Sequence, residues 1–169
     1  MKNNIVLIGM PGVGKSTIGV VLAKIMGFRF VDSDLVIQET TGKLLHEIIS
    51  EKGLQEFIEI ENKVNASLEI NHSIIATGGS VIYGKEAMEH LKEIGTIVYL
   101  KLSLNAIAER LGDLDKRGVA LKKGQSLEDL YQERVPYYEK YADITINCEG
   151  RGIRYITEEI AKIVKKRKR

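Results

Sequence analysis

Nine residues near the amino terminus restrict the fold more than any other feature of the chain. Gly9-Met-Pro-Gly12-Val-Gly14-Lys15-Ser16-Thr17 fits G-x-x-x-x-G-K-[ST], between the apolar run Ile5 to Ile8 and a segment of helical period from Lys15 to Met26. A strand, a glycine-rich turn and a helix in that order form an anion cradle. The glycines let the backbone curl until successive N–H groups point inward, and the helix adds its positive end. Such a loop predicts a bound nucleoside triphosphate, ATP in the first instance. Lys15 would reach the β- and γ-phosphates, and the Ser16 hydroxyl would coordinate Mg²⁺. A chance glycine turn is the competing reading, and the flanking strand and helix argue against it.

The rest of the chain repeats that alternation. Strand-length apolar runs occur at Ile5 to Ile8, Phe28 to Val31, Ser73 to Ala76, Thr96 to Leu100 and Ile144 to Ile146. Helical patterns lie between them, at Lys15 to Met26, Asp34 to Glu51, Leu54 to Leu68, Lys85 to Glu93, Leu104 to Leu111 and Leu127 to Tyr138, with a last helix from about Thr157. This order predicts an α/β fold, a five-stranded parallel sheet between two layers of helices, built as one domain over 1–169. In such sheets ligands sit beyond the carboxyl ends of the strands, so the turns there are where chemistry is sought.

Composition narrows the function classes. The one cysteine, Cys148, and 3 scattered histidines give neither a disulfide framework nor zinc-ligand spacing, which points to a reducing, cytoplasmic compartment. No apolar run approaches the roughly 18 residues that span a bilayer, so no membrane partner is expected. Of the net charge of +2, the tail Lys165 to Arg169 supplies five positive charges, leaving an acidic body that is a poor nucleic-acid surface. A basic end on a terminal helix also complements the helix dipole, and that solvated reading is preferred to a nucleic-acid contact.

The other strand ends supply an acceptor side. Asp32 and Asp34 stand two residues apart where the second strand ends; one can help to hold Mg²⁺ while the other orients a hydroxyl or takes its proton, with helix capping as the structural alternative. Gly78 and Gly79 follow the third strand, where they permit close approach of backbone to a ligand or simply a tight turn. The polar stretch 112–124, containing Arg117, has the make-up of a mobile lid that excludes water from phosphoryl transfer. Arg134, taken alone, reads as an ordinary surface ion pair on a helix.

Together these residues resemble the shikimate kinase family, among the nucleoside-monophosphate-kinase-like P-loop proteins. The likeness runs from Asn4 to about Ile146: the GMPGVGKST loop, Asp32-x-Asp34, Thr41-Gly42 before an apolar helix, Phe57 with Glu61, Ala76-Thr77-Gly78-Gly79, Arg110, Arg117, and Arg134-x-Pro136-x-Tyr138 followed by Ala142-Asp143. The resemblance implies ATP phosphates on Gly12, Val13, Gly14, Lys15, Ser16 and Thr17, Mg²⁺ on Ser16 and Asp32, adenine near Arg110, and Arg117 closing from the lid. It implies Asp34 at the reactive hydroxyl, Gly78, Gly79 and Glu61 in the acceptor site, and Arg134 at the acceptor's carboxylate. Lys15, Asp34 and Arg117 would carry catalysis, in an acceptor-binding helical segment at about 34–62, a lid at about 112–124 and a body ending in a basic tail, 162–169. No cofactor beyond ATP and Mg²⁺ is implied, the partner is a small-molecule alcohol, and the chain is expected to be a monomer.

Three departures fall on that acceptor side. The family pattern Phe-Arg-x-x-Glu reads Phe57-Ile58-Glu59-Ile60-Glu61, its third glycine is Ser80, and its lid pattern Arg-Pro-Leu-Leu is Arg117-Gly118-Val119-Ala120. An arginine fork binds a carboxylate bidentately and isoleucine cannot, so Glu61, one turn away, is expected to face the pocket without its cation. Shikimate, converted to shikimate 3-phosphate, is the first candidate acceptor. A neutral or cationic alcohol, and an ATP-binding protein without transfer, are the alternatives; a nucleic-acid-linked kinase resting on the tail comes last.

Overall fold

The five apolar runs form one parallel sheet in the computed structural model, which describes residues 2–112 and 121–167. The order along the chain is β1 (Asn4–Ile8), α1 (Lys15–Met26), β2 (Arg29–Asp32), α2 (Ser33–Thr41), α3 (Leu45–Lys52), α4 (Leu54–Ala66), β3 (Ser73–Ala76), α5 (Lys85–Ile94), β4 (Gly95–Lys101), α6 (Leu104–Leu111), α7 (Leu127–Tyr141), β5 (Ile144–Asn147) and α8 (Ile153–Arg167). A short 3₁₀ turn, Val81–Tyr83, follows β3. The spatial order is β2-β3-β1-β4-β5, as expected for an α/β sheet with crossover helices.

Every residue of β1 is buried, because a central parallel strand is covered on both faces and therefore reads as a continuous apolar run. Register then decides what meets at the sheet's carboxyl edge. Leu7 of β1 and Asp32 of β2 both pair with Ala76 of β3. The phosphate loop, the Asp32 turn and Thr77-Gly78-Gly79 must therefore leave the sheet side by side. Thr77 ties the junction, its Oγ1 donating to the Leu7 carbonyl at 2.8 Å.

Helix α1 lies close to the sheet because residue 19 is glycine. A Cβ there would come within 2.7 Å of the Phe30 ring. A second, smaller apolar cluster of Ile37, Ile48, Phe57 and Val64 binds α2, α3 and α4 to one another beside the sheet.

The helices differ from the sequence reading at three main places. The helix expected from Asp34 to Glu51 is two helices, because Gly42 takes a left-handed conformation (φ 69°) and its N–H closes α2 onto the Gln38 carbonyl. The Glu47 carboxylate then accepts from the Leu44 N–H at 2.8 Å and starts α3 afresh. Helix α7 continues past Tyr138 with Pro136 inside it, although proline removes one helical hydrogen bond. The last helix begins at Ile153, earlier than its apolar period suggests. Residues 113–120, with Arg117 and most of the expected lid, lie outside the described residues.

Candidate active site

The phosphate loop is shaped by glycines in backbone conformations that other residues rarely adopt. Gly12 and Gly14 have φ of 84° and 101°, and the Gly14 carbonyl accepts the first hydrogen bond of α1, from the Ile18 N–H at 2.8 Å. Lys15 folds back over the turn, its Nζ donating to the Gly9 and Met10 carbonyls at 2.7 and 2.9 Å. Burial pushes its ammonium down to about 8, against the opposing pull of Asp34.

Asp32 caps a helix and also meets the phosphate loop. Its Oδ1 caps α2 by accepting from the Asp34 N–H at 3.0 Å, while Oδ2 accepts from the Ser16 hydroxyl at 3.1 Å. Two oxygens at that separation suit adjacent corners of an octahedron with bonds of about 2.0–2.1 Å, so Ser16 and Asp32 fit the Mg²⁺ that a triphosphate carries. No group of three or more His, Cys, Asp or Glu able to hold a metal gathers among the described residues. Mg²⁺ held by one or two protein oxygens, water and phosphate does not need one.

Beside this loop, and continuous with it, is a cavity of about 330 Å³ lined by Lys15, Ser16, Asp34, Leu45, Phe57, Glu61, Gly78, Gly79, Ser80 and Arg134 among others. The structure therefore brings the expected acceptor residues to one place. The glycines are needed for space: a Cβ on Gly78 would sit 2.7 Å from Glu61 Oε2 and 2.8 Å from Asp34 Oδ1, and one on Gly79 2.8 Å from Arg134 Nη1. Both carboxylate oxygens are buried without a hydrogen-bond partner. An unpartnered buried oxygen is costly, and these two lie side by side against Gly78 in the cavity wall.

Electrostatics agree. Burial, helped by the charge on Asp32, lifts the Asp34 carboxyl to about 6. Burial also lifts Glu61 to about 7; the hydrogen bond from Ser80 opposes this and the charge on Asp34 adds to it.

Arg134 is not the surface ion pair its local sequence suggests. It is 1% exposed, its Nε donates to the Tyr83 hydroxyl at 3.4 Å, and its guanidinium lies 5.5 Å from the centre of that ring. Tyr138, one turn along α7, donates to the Gly79 carbonyl at 2.7 Å and so fixes the turn that Arg134 reaches past. Arg110 is pinned to the outer side of the loop, Nη1 donating to the Val13 carbonyl at 3.2 Å. It borders a separate cavity of about 240 Å³ with Thr17, Cys148, Arg151 and Ile153.

Two placements add to the sequence reading. Ile58 does not line the cavity that holds Glu61; it lines a neighbouring one of about 280 Å³ with Tyr83, Lys122, Glu133 and Tyr137. Glu61 is not left wholly without a partner either, since the Ser80 hydroxyl donates to its Oε1 at 2.6 Å. Ser80 in that pairing, Tyr83 beneath Arg134, and Arg151 beside Arg110 are residues to which the sequence reading gave no role. The turn Thr77-Gly78-Gly79-Ser80 carried the one available signal, a hydroxyl where the pattern has glycine.

Comparison with known proteins matches this arrangement to one family. The family model described as shikimate kinase covers residues 11–165. A shikimate kinase of Thermodesulfovibrio yellowstonii is 40% identical over 162 residues, spanning 94% of this chain and 93% of the relative, and one of Persephonella marina is 36% identical over 158 residues, 93% and 96%. Among solved structures, the shikimate kinase of Acinetobacter baumannii in complex with shikimate superposes with a TM-score of 0.89 at 30% identity, over 99% of this chain and 96% of that one. With the family model covering 11–165 and the likeness to these relatives running nearly end to end, the chain belongs to the shikimate kinase family.

Proposed function

We propose that the protein transfers the γ-phosphoryl group of ATP to a hydroxyl of shikimate, giving shikimate 3-phosphate. The observation that carries this is the meeting in one cavity of Lys15 and Ser16 from the phosphate loop with Asp34, Glu61 and Arg134. Near end-to-end likeness to an enzyme solved with shikimate supports that acceptor over other alcohols. The placement of Ile58 in a neighbouring cavity weakens the argument for a neutral or cationic one.

The chain's own groups divide the work. Backbone N–H groups of Gly12 to Thr17 and the Lys15 ammonium bind the triphosphate; Ser16 and Asp32 would hold Mg²⁺, which neutralises phosphate charge. Arg134 binds the acceptor's carboxylate, and Phe57 with Gly78 and Gly79 shapes the wall against which the ring lies. Asp34 orients the attacking hydroxyl and receives its proton as the oxygen bonds to phosphorus and the bond to the β-phosphate oxygen breaks, releasing ADP. Arg110 borders the base, and Arg117, in a lid at about 112–124, closes over the phosphates. The helical segment at about 34–62 serves the acceptor, and the chain acts as a monomer with a solvated basic tail.

The test is to incubate the protein with Mg·ATP and shikimate and to identify the product by mass spectrometry, in parallel with Lys15→Met. The expected result is shikimate carrying one added phosphoryl group, formed at least about 100-fold more slowly by the variant. Full activity in Lys15→Met would overturn the assignment of the phosphate loop.

A further inference from the structure

The acceptor cavity holds an arrangement that the transfer reaction alone does not require. Glu61 is 1% exposed, on the inward face of α4, and no ion pair to it occurs among the described residues. Its Oε1 is taken by the Ser80 hydroxyl at 2.6 Å; Oε2 is buried, unpartnered, and beside Gly78 on the same side as Asp34 Oδ1. The charged groups acting on it are Asp34 from α2, Lys15 from α1 and Arg134 from α7, with the Ser80 hydroxyl completing its surroundings. Lys15 is turned onto the Gly9 and Met10 carbonyls.

A charged Glu61 and an anionic acceptor cannot lie together in that cavity without repulsion. As a neutral acid, Glu61 removes the repulsion and gains a hydrogen to donate from the oxygen that lacks a partner. We propose that Ser80 is a positioning residue that holds Glu61 in the wall of the acceptor cavity, where Glu61 carries a proton in the complex, so that an anionic acceptor binds with uptake of one proton from solvent.

The arrangement specifies which carboxylate takes the proton. Burial and the charge of Asp34 favour the acid form of Glu61 and place its titration near 7, within the working range. Once neutral, Glu61 no longer opposes the charge on Asp34. The hydrogen bond from Ser80 favours the ionised form, which keeps the proton exchangeable near neutrality; without it Glu61 would stay an acid to higher pH.

The inference rests on shikimate being the acceptor, and the experiment separates the two claims. Calorimetric titration of the protein with shikimate in buffers of different ionisation enthalpy counts protons taken up on binding. At pH 7.5 to 8 the parent should take up about half a proton or more per shikimate bound, and shikimate affinity should weaken as pH rises above about 8. Glu61→Gln, fixed in the neutral state, should bind with near-zero uptake and with affinity that no longer falls over that pH range. Ser80→Ala should move the pH of maximal uptake, and the pH above which shikimate affinity weakens, upward by about one unit. Saturable binding with no uptake, or uptake that persists in Glu61→Gln, would overturn the proton assignment and leave the acceptor standing. An unmoved profile in Ser80→Ala would overturn the role of Ser80, and no binding at any pH would overturn both claims.

Discussion

Replacing Arg134 by lysine separates recognition of the acceptor from recognition of ATP. The charge is kept, but a planar fork able to give two parallel hydrogen bonds to a carboxylate becomes a single ammonium on a shorter reach. The site leaves little room to compensate: Arg134 is 1% exposed, its Nε is held by Tyr83, and its Nη1 reaches to the Gly79 backbone, where even a Cβ would collide at 2.8 Å. Losing one charge-assisted hydrogen bond to a desolvated carboxylate costs about 2–4 kcal/mol, or a 30- to 1,000-fold fall in kcat/KM for shikimate. In a coupled assay of ADP release, the loss should fall on the acceptor's KM, with KM for ATP within about twofold of the parent, because no hydrogen bond from Arg134 to the phosphate loop occurs among the described residues and its Nη1 lies against Gly79, in the turn after β3. A variant within threefold of the parent in kcat/KM for shikimate would refute the reasoning. Equal damage to both substrates would mean that Arg134 supports the loop rather than the acceptor.

Asp34→Asn should separate stability from activity. Folding raises this carboxyl to about 6 from 3.8, so the folded protein binds the proton more tightly than the unfolded chain, and the stability that Asp34 costs grows as pH rises from about 4 through 6. Thermal denaturation should show Asn more stable than Asp at pH 8, by up to about 3 kcal/mol or some 5–10 °C, and the two nearly equal at pH 4. Turnover of the same variant should fall at least about 100-fold, and an unchanged difference in melting temperature between pH 4 and 8 would contradict the raised titration. Gly78→Ala should raise KM for shikimate at least about 10-fold, since the new methyl enters the space between Glu61 Oε2 and Asp34 Oδ1; unaltered acceptor kinetics would show that the ligand does not use that space.

The fold was legible because a buried parallel sheet writes itself as apolar runs. Ser73–Ala76 and the helices Lys15–Met26 and Leu104–Leu111 have the boundaries that their periodicity predicts. The break at Gly42 was harder to see, since one glycine inside an amphipathic pattern costs little, and only its left-handed backbone reveals the turn. In the site, everything governed by backbone motif was readable: the loop glycines, Lys15, and Asp32 with Asp34 at a strand end. What depends on distant packing was not. Nothing around Glu133-Arg134-Val135 indicates that α7 buries its arginine against Tyr83, 51 residues earlier in the chain. Likewise the Ser80–Glu61 hydrogen bond joins a turn after β3 to the middle of α4, a pairing that only the folded backbone creates. Ile58 and Glu61 are three residues apart on one helix, yet α4 stands where two cavities adjoin and each takes one of the side chains, which the sequence does not reveal.

The central claim is phosphoryl transfer to shikimate by this chain, and the initial rate of ADP formation with Mg·ATP tests it most directly, measured with shikimate and with a panel of neutral and amine-bearing small alcohols. The account predicts saturable turnover with shikimate and none above background with the panel. Saturable turnover of a panel alcohol with none of shikimate would contradict it, and would place the acceptor outside the chemistry that Arg134 is argued to recognise.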